Sequence, residues 1–314
     1  MLGVGGGLID WGLLASRLQK EIQGAVKVGE PLKKHTTWRV GGPADLLVTP
    51  HSITDLQVCV QYSHLYGLPL TIIGNGSNLL ALDGGVRGIV IKTRGGLQQL
   101  HIQDELVQAE AGILLSFLAK AAAHQNLSGL EFTAGIPATV GGATVMNAGT
   151  GDGVMAEVLK EVVLLKLDGT RVSIRKEELT FGYRTSSLKL HHDLVVEVVL
   201  ALAPGRGSEI LARMRLNHEM RRAKQPIDLP SAGSVFVNPA GYTAGWLIEQ
   251  VGAKGLRHGG VMVSEKHANF FVNLGQATAA DILSLIAEVR ELVSQRFGVM
   301  LETEIQQIGE RPFG

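Results

Sequence analysis

The stretch Gly135-Ile-Pro-Ala-Thr-Val-Gly-Gly-Ala-Thr-Val-Met-Asn-Ala-Gly149 most constrains this chain, because four glycines and small side chains surround a proline without the polarity of a linker. Backbone must approach something closely there. A second loop, Gly74-Asn75-Gly76-Ser77-Asn78, follows the apolar run Leu68 to Ile73 and so sits at the end of an expected strand. Each loop reads either as a tight turn between strands or as converging N–H groups around an anion such as a pyrophosphate. Two in one chain favour a dinucleotide or another diphosphate. The Rossmann fingerprint is absent, since Ser77, Asn78 and Leu79 follow Gly74-Asn-Gly76, and no phosphate-binding Gly-x4-Gly-Lys-Ser/Thr occurs.

With 314 residues, 45% of them hydrophobic, the chain is long enough for two or three compact units with well-buried cores. Lys plus Arg and Asp plus Glu balance at 29 each, which gives no general attraction to nucleic acid or membrane surfaces. The longest apolar stretch, Leu194 to Ala203, is interrupted by Glu197 and falls short of the ~20 residues that span a bilayer. The Gly-rich start is broken by Asp10 and has no basic lead, which argues against a secretory signal and for the cytoplasm. The single cysteine, Cys59, reads as a small buried apolar residue. The histidines form no ligand pair, and the neighbours His191 and His192 would diverge on a strand, so no metal is expected.

Along the chain, residues 12–26 read as a helix and Trp38 to Pro50 as a strand containing a Gly-Gly-Pro turn. Ile53 to Tyr66 reads as a helix, Leu68 to Ile73 and Gly88 to Lys92 as strands, and Leu114 to Gln125 as a helix. Val162 to Ile174 reads as a hairpin through Asp168-Gly169, and Leu194 to Leu202 as a long strand. Ala203 to Ser208, with a proline and two glycines, marks the expected boundary before a helix from Glu209 to Ala223. Thr278 caps a last helix that Gly298 ends. Val299 to Gln306 then reads as a strand with Glu302 and Glu304 on one face.

Several further segments carry more polarity than a core needs, among them Phe181 to Lys189, Lys224 to Pro226, Ser231 to Pro239 and His267 to Asn273. Taken together, Thr37-Trp-Arg39-Val-Gly-Gly, the two glycine loops, Tyr183-Arg184, Gly233-Ser234-Val-Phe-Val-Asn238-Pro239 and Leu301-Glu-Thr-Glu304-Ile resemble the UDP-N-acetylenolpyruvoylglucosamine reductases. The resemblance runs from about residue 30 to 309 with all motifs in order. It implies an α+β fold: an N-terminal lead over 1–36, an FAD-binding domain of the vanillyl-alcohol-oxidase type over 37–203 and a C-terminal substrate domain over 204–314. The FAD domain would comprise subdomains of about 37–93 and 94–203.

The resemblance further implies noncovalent FAD held by Arg39, Gly74, Asn75, Gly76, Ser77, Asn78, Leu79, Gly135, Ile136, Pro137, Thr139, Val140, Gly141, Gly142, Ala143, Asn147 and Gly149. NADPH would be the hydride donor, and UDP-N-acetylglucosamine enolpyruvate the acceptor, bound by Tyr183, Lys224 and Asn238, with Lys224 suited to a diphosphate. Arg184 matches the cation that stabilises the enolate-like intermediate, Glu304 a second stabilising group, expected to carry a raised pKa, and Ser234 the proton donor. His267 and Asn269 are expected to line the site. A monomer is expected.

Val237 stands where relatives often carry a basic residue, and the chain looks like the class without an inserted substrate-clamping tyrosine loop. Alternatives are an FAD-dependent oxidase of the same fold or a nucleotide-sugar-binding protein without catalysis. The C-terminal motifs disfavour the first, and Arg184, Ser234 and Glu304 together disfavour the second.

Overall fold

The computed structural model describes residues 9–189 and 193–312, so the glycine-rich start and the pair His191 and His192 lie outside the described residues. The chain divides into two compact units. The first comprises the N-terminal stretch to Glu30, Ala44–Asn75 and Arg87–His218. Its opening helix, Trp11–Glu21, is capped by the Asp10 carboxylate, which accepts from the Leu13 amide at 2.9 Å. The helix Ile53–Tyr66 starts at Ser52 and stops at Gly67, whose φ of 62° supplies the left-handed C-cap. Buried Asp55 in that helix accepts from the Gly24 and His51 amides at 2.7 and 2.8 Å, tying to it the chain just before the strand Ala25–Pro31.

Two larger sheets run through this unit. A four-stranded sheet runs in the order Ala25–Pro31, Pro43–Thr49, Val86–Lys92, Leu70–Ile73, the last two parallel. A five-stranded antiparallel sheet runs Arg171–Arg175, Leu159–Leu165, Leu194–Ala201, Leu106–Glu110, Leu100–Gln103. The hairpin turn lies at Asp168-Gly169, where the Asp168 carboxylate accepts from the Thr170 amide at 2.8 Å. The long strand Leu194–Ala201 buries Leu194, Val196, Val198, Val199 and Leu200, as its apolar run requires. Helix Leu115–His124 packs its buried Leu115, Leu118 and alanine face into the same core as Val107, Val162 and Leu200.

The second unit comprises Pro31–Pro43, Gly76–Val86 and Glu219–Gly314. A three-stranded antiparallel sheet, Arg257–His258, Val261–Val263 and Phe271–Asn273, packs with the helices Ala244–Gln250 and Ala279–Phe297. Thr278 and Asp281 form the capping box of the last helix, and Gly298 at φ 67° ends it. Leu79–Ala81 pairs in parallel with Gln306–Ile308. Trp38, fully buried, donates its Nε1–H to the Phe271 carbonyl at 2.8 Å, and Asn273 donates to the Trp38 carbonyl at 2.9 Å.

These units differ from the expected boundaries at 36/37 and 203/204. The Pro-Gly segment after Leu202 is paired, not a linker: Ala203–Pro204 ladders with Leu127–Ser128, and Gly205 donates to the Asn126 carbonyl at 2.7 Å. Ile210 and Met214 of the helix Gly207–Lys224 are buried in the first core, which carries the division to 218/219. Residues 31–43 and 76–86 join the second unit because Trp38, Val40 and Leu80 belong to its core. Three element expectations shift too: helix 12–26 ends at Glu21, strand Trp38 to Pro50 begins at Pro43, and Val299 to Gln306 is regular strand only from Gln306. Among the described residues no helix is long and apolar enough to cross a membrane, and no cluster of three His, Cys, Asp or Glu could hold a metal.

Candidate active site

In the first unit, the end of one glycine loop meets the other. Asn75 donates through Nδ2 to the Pro137 carbonyl at 2.5 Å, and Arg94 donates to Asn75 Oδ1. A Cβ on Gly74 would lie 2.4 Å from Thr139 Oγ1, so only glycine permits this approach. Thr139 caps the short helix Val140–Val145, and Gly141 closes on Ala111, where an added Cβ would come within 2.7 Å of that alanine's Cβ. Gly141 therefore serves packing.

The chain leaving that helix leads to Arg184. Asn147, 6% exposed and at φ 43°, donates to the Gly182 carbonyl and accepts from the Ala156 amide, both at 3.0 Å. Its carboxamide is thus bonded within the chain and ties down the two-residue hairpin Phe181–Gly182 and Thr185–Ser186, whose loop is Tyr183-Arg184. Ser186 donates to the Val145 carbonyl at 2.6 Å from the other arm. Arg184 donates to the Gly149 carbonyl at 2.9 Å, and its guanidinium lies 5.0 Å from the ring centre of the exposed Tyr183. Arg39, Asn147 and Arg184 account for three of the five non-glycine residues at positive φ among the described residues. Such strain persists where surrounding structure enforces it, and it gathers at functional sites.

In the second unit, Gly76 stands at φ 64° with His35 O only 2.2 Å from where a Cβ would sit. The Gly76 carbonyl accepts from the Thr37 amide at 3.1 Å, while Thr37 Oγ1 donates to Ser231 O at 2.7 Å. Among the described residues the amides of Gly76, Ser77 and Asn78 donate to no protein group. Three successive uncommitted N–H groups in a turn are what a diphosphate requires, so these residues fit the cofactor. The Asn78 carboxamide is used internally, donating to the Glu304 carbonyl at 3.3 Å.

Ser234 and Glu304 flank one short pairing. Ser234 bridges Phe270, Phe236 bridges Thr303, Val237 donates to the Glu302 carbonyl at 2.9 Å, and Glu304 donates to the Val235 carbonyl at 2.8 Å. Both Ser234 and Glu304 are half-buried. Gly233, at φ 77°, turns the chain into this segment and faces open space where a side chain would be. Exposed Asn238 accepts from the Ala244 amide at 2.9 Å, and Lys224, exposed, is the last residue of its helix.

Two residues expected only as lining prove to be architectural. Asn269, 3% exposed, donates through Nδ2 to the Phe236 carbonyl at 2.8 Å and accepts at Oδ1 from the Phe236 amide at 2.9 Å. His267 Nδ1 accepts from the Asn269 amide at 3.2 Å, and its ring meets Phe270 edge-on at 4.8 Å. Burial holds the imidazole below its ordinary 6.5, with Lys254 adding to the effect and Glu249 opposing it. The mixed polar and apolar run His267 to Asn273 was the available sequence signal; the partner, 33 residues away, was not.

Residues 44–175 match the family described as FAD binding domain, and with the loops above this gives the chain the fold of an FAD-binding flavoprotein. Residues 225–308 match UDP-N-acetylenolpyruvoylglucosamine reductase, C-terminal domain. The chain is 51% identical over 302 residues to UDP-N-acetylenolpyruvoylglucosamine reductase of Moorella thermoacetica, covering 96% of this chain and 99% of that protein. It is 44% identical to the one from Syntrophomonas wolfei over 91% of this chain and 95% of that protein. The crystal structure of UDP-N-acetylenolpyruvylglucosamine reductase from Thermus caldophilus is 40% identical, with a TM-score of 0.79 over 92% of this chain and all of that one (100%). The chain belongs to the UDP-N-acetylenolpyruvoylglucosamine reductase family.

Proposed function

We infer that this chain is the flavin-dependent oxidoreductase that reduces UDP-N-acetylglucosamine enolpyruvate to UDP-N-acetylmuramate, a step in making the peptidoglycan precursor of the cell wall. The observation that carries this reading is 51% identity across 96% of the chain to a reductase of that name, and the motifs that contain Arg184, Ser234 and Glu304 support it. The chemistry FAD supplies when bound is delivery of a hydride, drawn from NADPH, to the enolpyruvyl β-carbon. Everything else falls to protein side chains.

The Arg184 guanidinium, a planar fork that suits a carboxylate, takes the enolpyruvyl carboxylate and stabilises negative charge as it builds there. Its anchor on the Gly149 carbonyl sets its direction in advance. Ser234 gives its hydroxyl proton to the α-carbon, and its oxygen recovers a proton from solvent, so that the product gains one hydride and one proton. A serine hydroxyl is a weak acid and serves only against a reactive carbanion shielded from competing water. Glu304 supplies a hydrogen bond to the same intermediate. Lys224 takes the diphosphate, with Asn238 and Tyr183 on the rest of the substrate. Both small molecules are cytoplasmic solutes, and we place the enzyme there, acting as a monomer.

The test is direct. Purified protein should carry oxidised FAD released by denaturation, and NADPH consumption should become fast only when UDP-N-acetylglucosamine enolpyruvate is added. A protein without flavin after reconstitution, or equal turnover with oxygen alone, would remove this reading in favour of an oxidase or a binding protein.

A further inference from the structure

We propose that Asn269 is a positioning residue for the reduction, its carboxamide holding the Ser234 segment in register with Glu304. The inference rests on the roles given above to Ser234 and Glu304. Val235 and Phe236 are buried, yet among the described residues their segment belongs to no named strand and has isolated bridges at Ser234 and Phe236 in place of a continuous ladder. Buried peptide groups outside a ladder must find other partners. Here one residue provides most of them. The Val235 amide donates to the Asn269 carbonyl at 2.8 Å, and the Phe236 amide and carbonyl both bond the Asn269 carboxamide, at 2.9 and 2.8 Å. The remaining group, the Val235 carbonyl, accepts from the Glu304 amide.

A carboxamide presents a donor and an acceptor side by side, as a peptide group does, and so replaces an absent strand neighbour at Phe236. Aspartate would set a carboxylate against the Phe236 carbonyl, and alanine would leave both groups buried without a partner. Asn269 is itself fixed, since its amide donates to His267 Nδ1 and Gly245 closes against that ring at 3.4 Å from an added Cβ. The segment is thus clamped between Asn269 on one side and Glu302 to Glu304 on the other. Without the clamp, Val235 and Phe236 would rotate to relieve the orphaned groups, and the adjoining Ser234 would rotate with them. Misplacement of a proton donor slows the chemical step and leaves substrate affinity and flavin reduction largely untouched.

The experiment uses FAD-loaded Asn269→Asp and Asn269→Ala enzymes beside wild type and Ser234→Ala. Flavin content, reduction by NADPH and the Kd for UDP-N-acetylglucosamine enolpyruvate should stay within about threefold of wild type, while oxidation of reduced enzyme by that substrate slows about 10- to 100-fold. kcat should fall with KM held, and amide hydrogen exchange over 234–237 should quicken. If Asn269→Ala fails to fold, Asn269→Asp, which keeps the acceptor for the Phe236 amide, carries the test. Wild-type reoxidation rates in the Asn269 variants, or equal slowing of both half-reactions, would overturn the proposal alone. Wild-type enzyme that the substrate does not reoxidise would overturn the functional reading and the proposal with it, whereas a fully active Ser234→Ala would overturn the role given to Ser234, and with it the proposal, but not the reading of the enzyme as a reductase.

Discussion

The backbone amide of Glu304 donates to the carbonyl of Val235 at 2.8 Å, which joins the residue after Ser234 to the glutamate of the Leu-x-x-Glu-Ile motif. These motifs lie far apart in sequence, so their joint occurrence marks a shared piece of structure as well as shared chemistry. The pairing is brief. One bridge at Phe236 and Thr303 forms it, and the C-terminal chain then changes partner, with Gln306 donating to the Asn78 carbonyl at 2.9 Å.

Ser234 is assigned proton transfer and no part in flavin reduction, and this division can be measured. Ser234→Ala should bind FAD and be reduced by NADPH at close to the wild-type rate in stopped flow. Oxidation of the reduced enzyme by the enolpyruvyl substrate should fall by about two or more orders of magnitude, the usual cost of losing a general acid. Loss of flavin, or equal slowing of both half-reactions, would make Ser234 a structural turn residue.

His267 gives a pH dependence with a definite sign. Burial, with Lys254 nearby, holds its folded-state pKa below the ordinary 6.5, so below that pH the unfolded chain binds more protons than the folded one. The stability it contributes is fully present above 6.5 and is lost as pH falls through the folded value. The thermal midpoint of wild type should decline more steeply than that of His267→Gln as pH falls below 6.5. Parallel curves for the two proteins would remove the assignment.

Much of the fold was legible where one element's own residues decide it. The helix Ile53–Tyr66 runs between Ser52 and Gly67, and Ala279–Phe297 between Thr278 and Gly298, because caps and apolar periodicity are local signals. The strand Ala25–Pro31 gave no signal beyond the expected helix end at 26, because it contains no buried residue and so lacks the alternation of a half-buried strand. The expected boundary at 203/204 differs from the division of the compact units at 218/219 for a related reason: Pro204, Gly205 and Gly207 resemble a linker, but their partners Asn126 to Ser128 are remote in the chain. Of the candidate site, the glycine loops and motif residues could be read. The carboxamides of Asn147 and Asn269, which act on backbone 35 and 33 residues away, could not.

Cys59 offers a simple check on the first core. It is fully buried, and burial, followed by the Asp55 carboxylate, pushes its thiol up to about 12. At pH 8 the thiolate fraction should be roughly a thousandfold below that of an exposed cysteine, so a thiol-reactive dye should label native protein only on the timescale of unfolding. Denatured protein should take up one dye per chain within minutes. Prompt labelling of the native protein would show that this core opens.

Two glycines, both at positive φ, separate packing from backbone strain. At Gly76 an alanine would meet the left-handed penalty of about 1–2 kcal/mol and a methyl carbon 2.2 Å from His35 O, a backbone atom that cannot swing aside. At Gly233, φ 77°, nothing lies within 4 Å of the added carbon, so only the backbone term remains. Gly76→Ala should therefore destabilise the protein by about 2–4 kcal/mol, and Gly233→Ala by about 1–2 kcal/mol, in urea or thermal unfolding. The functional effects should fall out differently. Gly76→Ala displaces the amides of Ser77 and Asn78 and should weaken FAD retention, measured as flavin per folded chain. Gly233→Ala should keep its flavin and instead slow oxidation of reduced enzyme by substrate, because the turn it alters leads directly into Ser234. Equal destabilisation of the two variants, or flavin loss confined to Gly233→Ala, would reverse the parts assigned to these loops.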